Sequence, residues 1–469
     1  MGYGTVCAAT TRIGKSITRG TPERITLRTL MGRVLVASLA LTTWASIGHT
    51  QVPANEQWST IRTRHFNVHF TPRLEGEARH AASVAERAYA NLATELVRPR
   101  GTIDIVISDA TDVSNGSATV FPSNRVIIYA RPPVDELSLE SYDDWTVLVL
   151  QHELTHIFHL DRSRGIWSVA QHVFGRNPVL FPNYYTPSWL TEGLAVYYES
   201  RFTSGGRLLG TYNAAVARAA AVDHLVPTLD QLSLATSKFP YGESVYVYGS
   251  FVWDDLARRH GAETVPAFVE RSSAAVIPIL LNREAKRTFG ETFAHAWTRW
   301  RDSALNRVSD SSDRVRTTAG FGAARAYEVP EGGRQILFPR WRDDSTLVYP
   351  GNNGRESEGL YAAVLGRPPE RLSRRNSLDV NAVRADGSIV FSQAEYRDRF
   401  HSGSDLYVQR GDNIERLTFG ARLSAPDVRA DGEMVAVQTV PAATRLVLVS
   451  PDGKRIRPIT AASVDTPWT

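Results

Sequence analysis

An eight-residue motif recurs three times in the last third of the chain. It reads Arg342-Asp343-Asp344-Ser345-Thr346-Leu347-Val348-Tyr349, then Arg384-Ala385-Asp386-Gly387-Ser388-Ile389-Val390-Phe391, then Arg429-Ala430-Asp431-Gly432-Glu433-Met434-Val435-Ala436. Each copy is a polar turn leading into an apolar run, and the copies start 42 and 45 residues apart. That period is the length of one propeller blade, a small antiparallel sheet that must stack on its neighbours to bury its faces. Residues 325–469 are therefore expected to be all-β. Further strands follow the turns, as in Asp405-Leu406-Tyr407-Val408 and Arg445-Leu446-Val447-Leu448-Val449. About three blades fit, whereas closed propellers take roughly four to eight. Asp465-Thr466-Pro467-Trp468 reads as the start of another blade, so the array is expected to be incomplete.

The preceding residues have a different texture. Between 57 and 135, strand-like runs (Phe66–Phe70, Ile103–Ile107, Arg125–Tyr129) alternate with a helical stretch from Ala78 to Leu96. This predicts a small α/β subdomain. Residues 140–308 are mainly helical. Apolar residues fall at helical spacing from Asp144 to Leu160. A second helix is expected to open at Thr186-Pro187-Ser188, with Thr as N-cap and Pro in the first position. A third should follow Pro240 and stop near Gly261.

Bulk chemistry removes several functions. Hydrophobic residues make up 42% and charged residues 22%, as in ordinary globular proteins. Residues 1–50 hold six Lys/Arg and one acid, leaving 47 basic and 48 acidic residues elsewhere. A remainder near neutrality offers no field to draw in a phosphate backbone, and no nucleic-acid partner is expected. The single cysteine, Cys7, also lies in this leader. Disulfides, thiolate metal sites and cysteine nucleophiles are thereby excluded from the rest, and any metal must be held by His and carboxylates.

The leader itself has a secretory layout. From Met31 a short basic start at Arg33 precedes an apolar run from Val34 to about Ile47, then small and polar residues. Cleavage is expected between about residues 46 and 52, giving an exported protein, periplasmic or secreted, of a bacterial envelope. No later stretch is long and apolar enough to span a bilayer, so no transmembrane segment is expected in the mature chain.

The chemistry concentrates in His152-Glu153-Leu154-Thr155-His156. Two His four residues apart project from one face of a helix, one turn from each other, so both rings can reach one zinc ion. The intervening Glu153 sits beside the metal-bound water and can take its proton. A helix with two satisfied core His would show the same pattern.

Downstream, Trp189-Leu190-Thr191-Glu192-Gly193-Leu194-Ala195-Val196-Tyr197-Tyr198-Glu199 resembles the second zinc helix of gluzincin metallopeptidases, the aminopeptidase N family included. The resemblance implies a thermolysin-like zinc peptidase domain with one Zn2+ per chain. It implies Glu192 as third ligand beside His152 and His156, and Glu199 as a carboxylate supporting a ligating His. Pro240-Tyr241-Gly242-Glu243 is similar to the segment in which that family places its transition-state tyrosine, which makes Tyr241 the candidate oxyanion donor. Tyr246 and Tyr248 lie nearby. The repeats after residue 330 look like TolB-type blades.

Two departures from the aminopeptidase pattern matter. The linker from His156 to Glu192 is longer, and its apolar residues, among them Ile166, Val173 and Phe174, could cover the cleft or pack on it. The acidic strand that holds a substrate's free amine has its nearest counterpart in Asn115-Gly116-Ser117-Ala118-Thr119, which carries no acid.

The expected whole is a multidomain α+β protein: a peptide-bond hydrolase, an endopeptidase, acting on peptide or protein substrates. Its repeats would recruit a protein partner or substrate. The alternative is an envelope scaffold that binds partners through the repeats and carries an inactive zinc site.

Overall fold

A computed structural model describes residues 56–317 and 335–463 together with Pro53, with short breaks at 134–136, 140, 235–238, 354–355 and 365. The leader with its secretory layout, residues 318–334 and the Asp465–Trp468 stretch lie outside the described residues.

The first layer is a five-stranded sheet in the order β1-β2-β3-β5-β4. Its strands are β1 (Ser59–Arg62), β2 (Phe66–Phe70), β3 (Ile103–Ser108), β4 (Gly116–Thr119) and β5 (Arg125–Tyr129). β2, β3 and β5 run parallel, while β4 pairs antiparallel with β5 and forms one edge. Helix α1 (Glu75–Leu92) connects β2 to β3 and buries an Ala-rich face. It starts and stops earlier than the 78–96 stretch suggested, because Ala93–Leu96 close the end with turn bonds rather than another helical turn.

Helix α2 (Trp145–Leu160) is the centre of the molecule. Asp144 caps it, accepting from the backbone N–H of Thr146 at 2.9 Å and of Val147 at 3.2 Å. Every residue in it except Val147 is buried, the polar Gln151, His152, Glu153, Thr155, His156 and His159 included. It packs against α1, β4 and helix α4 (Ser188–Phe202). Between them run α3 (Ile166–Phe174) and two short 3-10 turns. The remaining helices are α5 (Thr211–Val222), α6 (Ser244–His260), α7 (Thr264–Ser272), α8 (Leu281–Phe289) and α9 (Phe293–Thr317).

Helix α4 opens one residue later than the cap signal implies. Thr186 N donates to Asn183 O, closing the preceding 3-10 turn, and Pro187 takes the cap position with extended backbone. Helix α6 ends at Gly261, whose φ of 92° is a conformation side chains rarely allow. Helices α4 and α6 cross where two glycines meet: a Cβ on Gly193 would lie 2.3 Å from Gly249 C, and one on Gly249 would lie 2.1 Å from Trp189 O. Trp253 Nε1 donates to Leu190 O at 2.9 Å across the same contact. One continuous apolar core runs through the sheet and the helices, so the α/β and helical parts share a single interior.

The repeats form three antiparallel sheets. The first contains β6 (Gln335–Ile336), β7 (Arg340–Trp341), β8 (Thr346–Asn352), β9 (Gly359–Val364) and β10 (Glu370–Arg374). The second is β11 (Asn381–Val383), β12 (Ile389–Tyr396), β13 (Ser402–Arg410) and β14 (Asn413–Arg416). The third is β15 (Leu423–Val428), β16 (Met434–Val440), β17 (Ala443–Val449) and β18 (Ile456–Pro458). The recurring motif makes the same turn each time: Arg342 N to Thr346 O, Arg384 N to Ser388 O and Arg429 N to Glu433 O, all at 2.8 Å. In each turn an Asp side chain (Asp343, Asp386, Asp431) accepts from the backbone N–H two residues on. Among the described residues the sheets form no closed propeller.

The third sheet is fastened to the first layer by buried charge. Arg422 donates to both oxygens of Asp109 at 2.9 Å and to Asp112 Oδ1 at 2.6 Å. Arg131 Nε donates to Thr439 Oγ1 at 3.1 Å.

Candidate metal centre

The i, i+4 spacing on α2 and the position of Glu192 on α4 bring three ligand atoms together. His152 Nε2 and His156 Nε2 are 3.2 Å apart, and Glu192 Oε2 is 3.3 Å from each. Ligand atoms bound at ~2.0–2.1 Å on the corners of a tetrahedron stand about 3.3 Å apart. Donor set and spacing both fit zinc, and no other group of three or more His, Cys, Asp or Glu among the described residues converges this way.

The support behind the ligands is charged and buried. Glu199, with no exposed side-chain surface, accepts from His152 Nδ1 at 2.8 Å, which leaves the Nε2 lone pair facing the other ligands. Arg207 clamps Glu199 in turn: its backbone N–H and Nε donate to Oε1 at 2.9 and 3.0 Å, and Nη2 donates to Oε2 at 2.9 Å. Burial alone would raise the Glu199 carboxyl, but Arg207 and His152 outweigh it and hold it down to about 2. Burial disfavours a charged His152, yet bonds to Glu192 and Glu199 push it up to about 9. Glu192 is driven below the usual carboxylate range: desolvation opposes this, and His156 and His152 prevail.

Nothing in the sequence pattern marks Arg207, which lies in the turn after α4. The signal available was Gly205-Gly206. Gly206 has φ 102°, and a Cβ there would meet Ser200 Oγ at 2.5 Å, so the chain can fold back onto Glu199 only through glycine.

Glu153 lines the same cleft as the ligands and lies against the edge strand. A Cβ on Gly116 would lie 2.7 Å from Glu153 Oε1, so β4 passes this close only because residue 116 is glycine. Burial raises the Glu153 carboxyl, partly offset by His152 and His156.

These residues line a cleft of about 470 Å³, with β4 on one side and α4 and the start of α6 on the other. Leu139, Trp145 and Val149 give it an apolar wall. Tyr246 lines it, its ring 6.4 Å from that of His152 and 4.8 Å from the Arg207 guanidinium. Tyr241, the tyrosine expected from the Pro-Tyr context, does not line the cleft. It occupies the turn before α6 with φ 64°, its ring 6.4 Å from Phe239. The reason is where the helix begins: α6 starts at Ser244, so Tyr246 is the first tyrosine carried on it. Tyr248 is fully buried against Trp297 and Trp300. The long linker after His156 does not cover the cleft, since none of residues 161–190 is among its lining.

No family model matches the chain. An uncharacterized protein of Treponema pallidum (strain Nichols) is 24% identical over 251 residues, 53% of this chain and 22% of that protein. Among solved structures, a two-domain M1 zinc metallopeptidase bound to L-tryptophan is 14% identical, covering 52% of this chain and 51% of its own, with a TM-score of 0.28. An M1 zinc metallopeptidase from Deinococcus radiodurans bound to a Tyr-Ser-Ala substrate gives 14%, 52% and 50%, and the same score of 0.28. TolB from Acinetobacter baumannii is 16% identical over 28% of this chain and 33% of its own, at a TM-score of 0.24. The chain thus spans under a quarter of that relative and about half or less of these solved chains. None of these similarities assigns it to a family.

Proposed function

We propose that the chain is an exported zinc-dependent peptidase that cleaves internal peptide bonds, with His152, His156 and Glu192 as ligands and Glu153 as general base. The observation that carries this is the 3.2–3.3 Å triangle of ligand atoms beside Glu153 in an open cleft. A zinc ion held there would acidify a water molecule and polarise a substrate carbonyl.

The chain's own groups do the rest. Glu153 takes a proton from the attacking water and later gives it to the leaving amine. Burial, which raises its carboxyl, strengthens it as an acceptor of that proton. Tyr246 donates a hydrogen bond to the developing oxyanion. Strand β4 is paired on one side only and can accept an extended peptide along its other edge. Asn115–Thr119 carries no acid to hold a free amine. Glu243 also lines the cleft, but burial raises its carboxyl, only partly offset by Arg207, and so disfavours the charge that a free amine would need. Recognition therefore falls on the peptide backbone, which favours internal bonds.

The test is metal analysis together with digestion of a broad peptide library. Wild type should hold about one zinc and cleave. Glu153→Gln should keep the zinc and lose about 10²–10⁴-fold in turnover. If both proteins hold zinc and are equally inert, the reading as an envelope scaffold replaces this one. Export is checked separately, by mass spectrometry of the mature N-terminus.

A further inference from the structure

Helix α3 faces the wrong way for a helix on a soluble surface. Its polar Gln171 points inward, donating through Nε2 to Ser163 Oγ at 3.0 Å and Leu180 O at 2.8 Å. Trp167 also turns inward, its Nε1 donating to Ala275 O at 2.7 Å. Apart from Ser168 and His172 on one flank, the exposed residues are apolar: Ile166, Val169 (65% exposed), Val173 (66%) and Phe174 (75%), spaced as one helical stripe. Surface helices normally turn that stripe to the core.

A second exposed apolar segment lies against it. Arg164 N donates to Ser273 O at 2.9 Å, so the loop after α7 runs beside α3. That loop presents Val276 (65% exposed), Ile277, Ile279 (68%) and Leu280 to solvent. Isolated exposed aliphatics need no explanation, but two adjoining segments of them mark a docking face.

The two segments themselves carry cations and no acid; the acids Glu270, Glu284 and Asp230 lie only at their margin. Neither residues 162–180 nor residues 271–283 contain Asp or Glu. Arg271 and Arg283 stand exposed at the ends of the loop, and Lys286 and Arg287 follow Arg283 on the outer side of α8. Arg283 and Arg287 touch Glu284, and Arg164 pairs with Glu270, all at the margin. Tyr184 and Tyr185 lie half-exposed beyond the C-terminal end of α3, Tyr185 with its ring 6.4 Å from that of Trp167.

We infer that α3 and the Ala274–Leu280 loop dock together onto an anionic lipid surface. An acid-free apolar centre, a cationic margin and bordering aromatic rings are what a bilayer interface accepts. A second copy docking by the same face would set the cationic margin against itself, since a two-fold contact pairs identical patches. This inference is independent of the hydrolase reading, because none of its residues lines the cleft.

The test is co-sedimentation of the purified chain with phosphatidylglycerol or phosphatidylcholine vesicles. Wild type should partition at least ~10-fold more strongly onto phosphatidylglycerol, with salt weakening the binding. Val173→Asp/Ile279→Asp should lower that partition by at least ~10-fold. Arg271→Glu/Arg283→Glu should lower it by about fivefold per charge. Any N-terminal contribution is common to all three proteins and cancels. Unchanged zinc content and melting temperature will show the variants are folded. Equal binding by wild type and Val173→Asp/Ile279→Asp, or no binding by wild type, overturns the inference. So does a wild-type dimer in sedimentation velocity that Val173→Asp/Ile279→Asp dissociates without any vesicle binding.

Discussion

The helical region and the repeat region both depend on carboxylates, but they treat them oppositely. At the candidate metal centre, Glu199 has no exposed surface and is held by four bonds from His152 and Arg207. In the repeats, Asp343 and Asp431 sit in solvent and bond mainly to their own turn. The first is a long-range assembly built from three segments. The second is local, copied once per sheet, and indifferent to what lies beyond the turn. The cores differ likewise: one continuous interior in the helical region, and small separate clusters in the sheets. Reaction chemistry needs desolvated, oriented charge, whereas a repeating scaffold needs only a reliable turn.

The sharpest way to break this contrast is the point where the regions meet. Among the described residues, Arg422 is the one repeat residue that buries its charge against two acids of the first layer, Asp109 and Asp112. Arg422→Ala leaves both uncompensated, and removing one partner of a buried ion pair costs about 3–5 kcal/mol. Urea denaturation should show this loss, and a change under ~1 kcal/mol would mean the sheets hang loosely on the helical region.

Next in size is the cleft. Tyr246→Phe should lower kcat by about 10²–10³-fold with little change in KM, because the bond strengthens only as the oxyanion forms. Tyr241→Phe in the same peptide assay should stay near wild type. A reversed order would return the role to Tyr241.

Glu199→Gln keeps the shape and removes the charge that Arg207 clamps. Zinc affinity should fall about 10–100-fold in competition with a chelator. Unaltered affinity would show that His152 needs no charged support.

The smallest effect belongs to the repeat turns. Hydrogen bonds from Ser345 hold Asp343 down to about 2, and Arg429 with the Glu433 N–H does the same for Asp431. A folded-state pKa below the ordinary value near 3.8 means the contribution is present above about pH 4 and lost as pH falls towards 2. Asp343→Asn/Asp431→Asn should therefore lower the melting temperature slightly at pH 7 and converge with wild type as pH falls towards 2. An equal drop at pH 2 and pH 7 would mean that something other than these charges holds the turns.

What could be read in advance follows the same division. The turn motif and the His152–His156 spacing are local patterns set by backbone periodicity, so they were legible. Arg207 was not, because its role depends on a turn at Gly206 that returns it to a residue eight positions back. Which of Tyr241, Tyr246 and Tyr248 lines the cleft depends on the first residue of α6, and helix boundaries are set by caps that sequence places only approximately. The stripe on α3 was visible as a run of apolar residues, but periodicity says nothing about which face meets water. That side was decided by Gln171 finding Ser163 and Leu180.

The glycine crossing of α4 and α6 has a mechanical consequence. With backbone on backbone at Gly193 and Gly249, the two helices cannot slide or roll independently, and they carry Glu192 and Tyr246 as one rigid jaw. The opposite jaw is α2, bearing His152, Glu153 and His156. Any displacement of one helix is then shared by the other, so Glu192 and Tyr246 shift in step. A cation held by His152, His156 and Glu192 would tie α4 to α2, so metal loading should damp the motion of Tyr246, which lies outside the proposed ligand set.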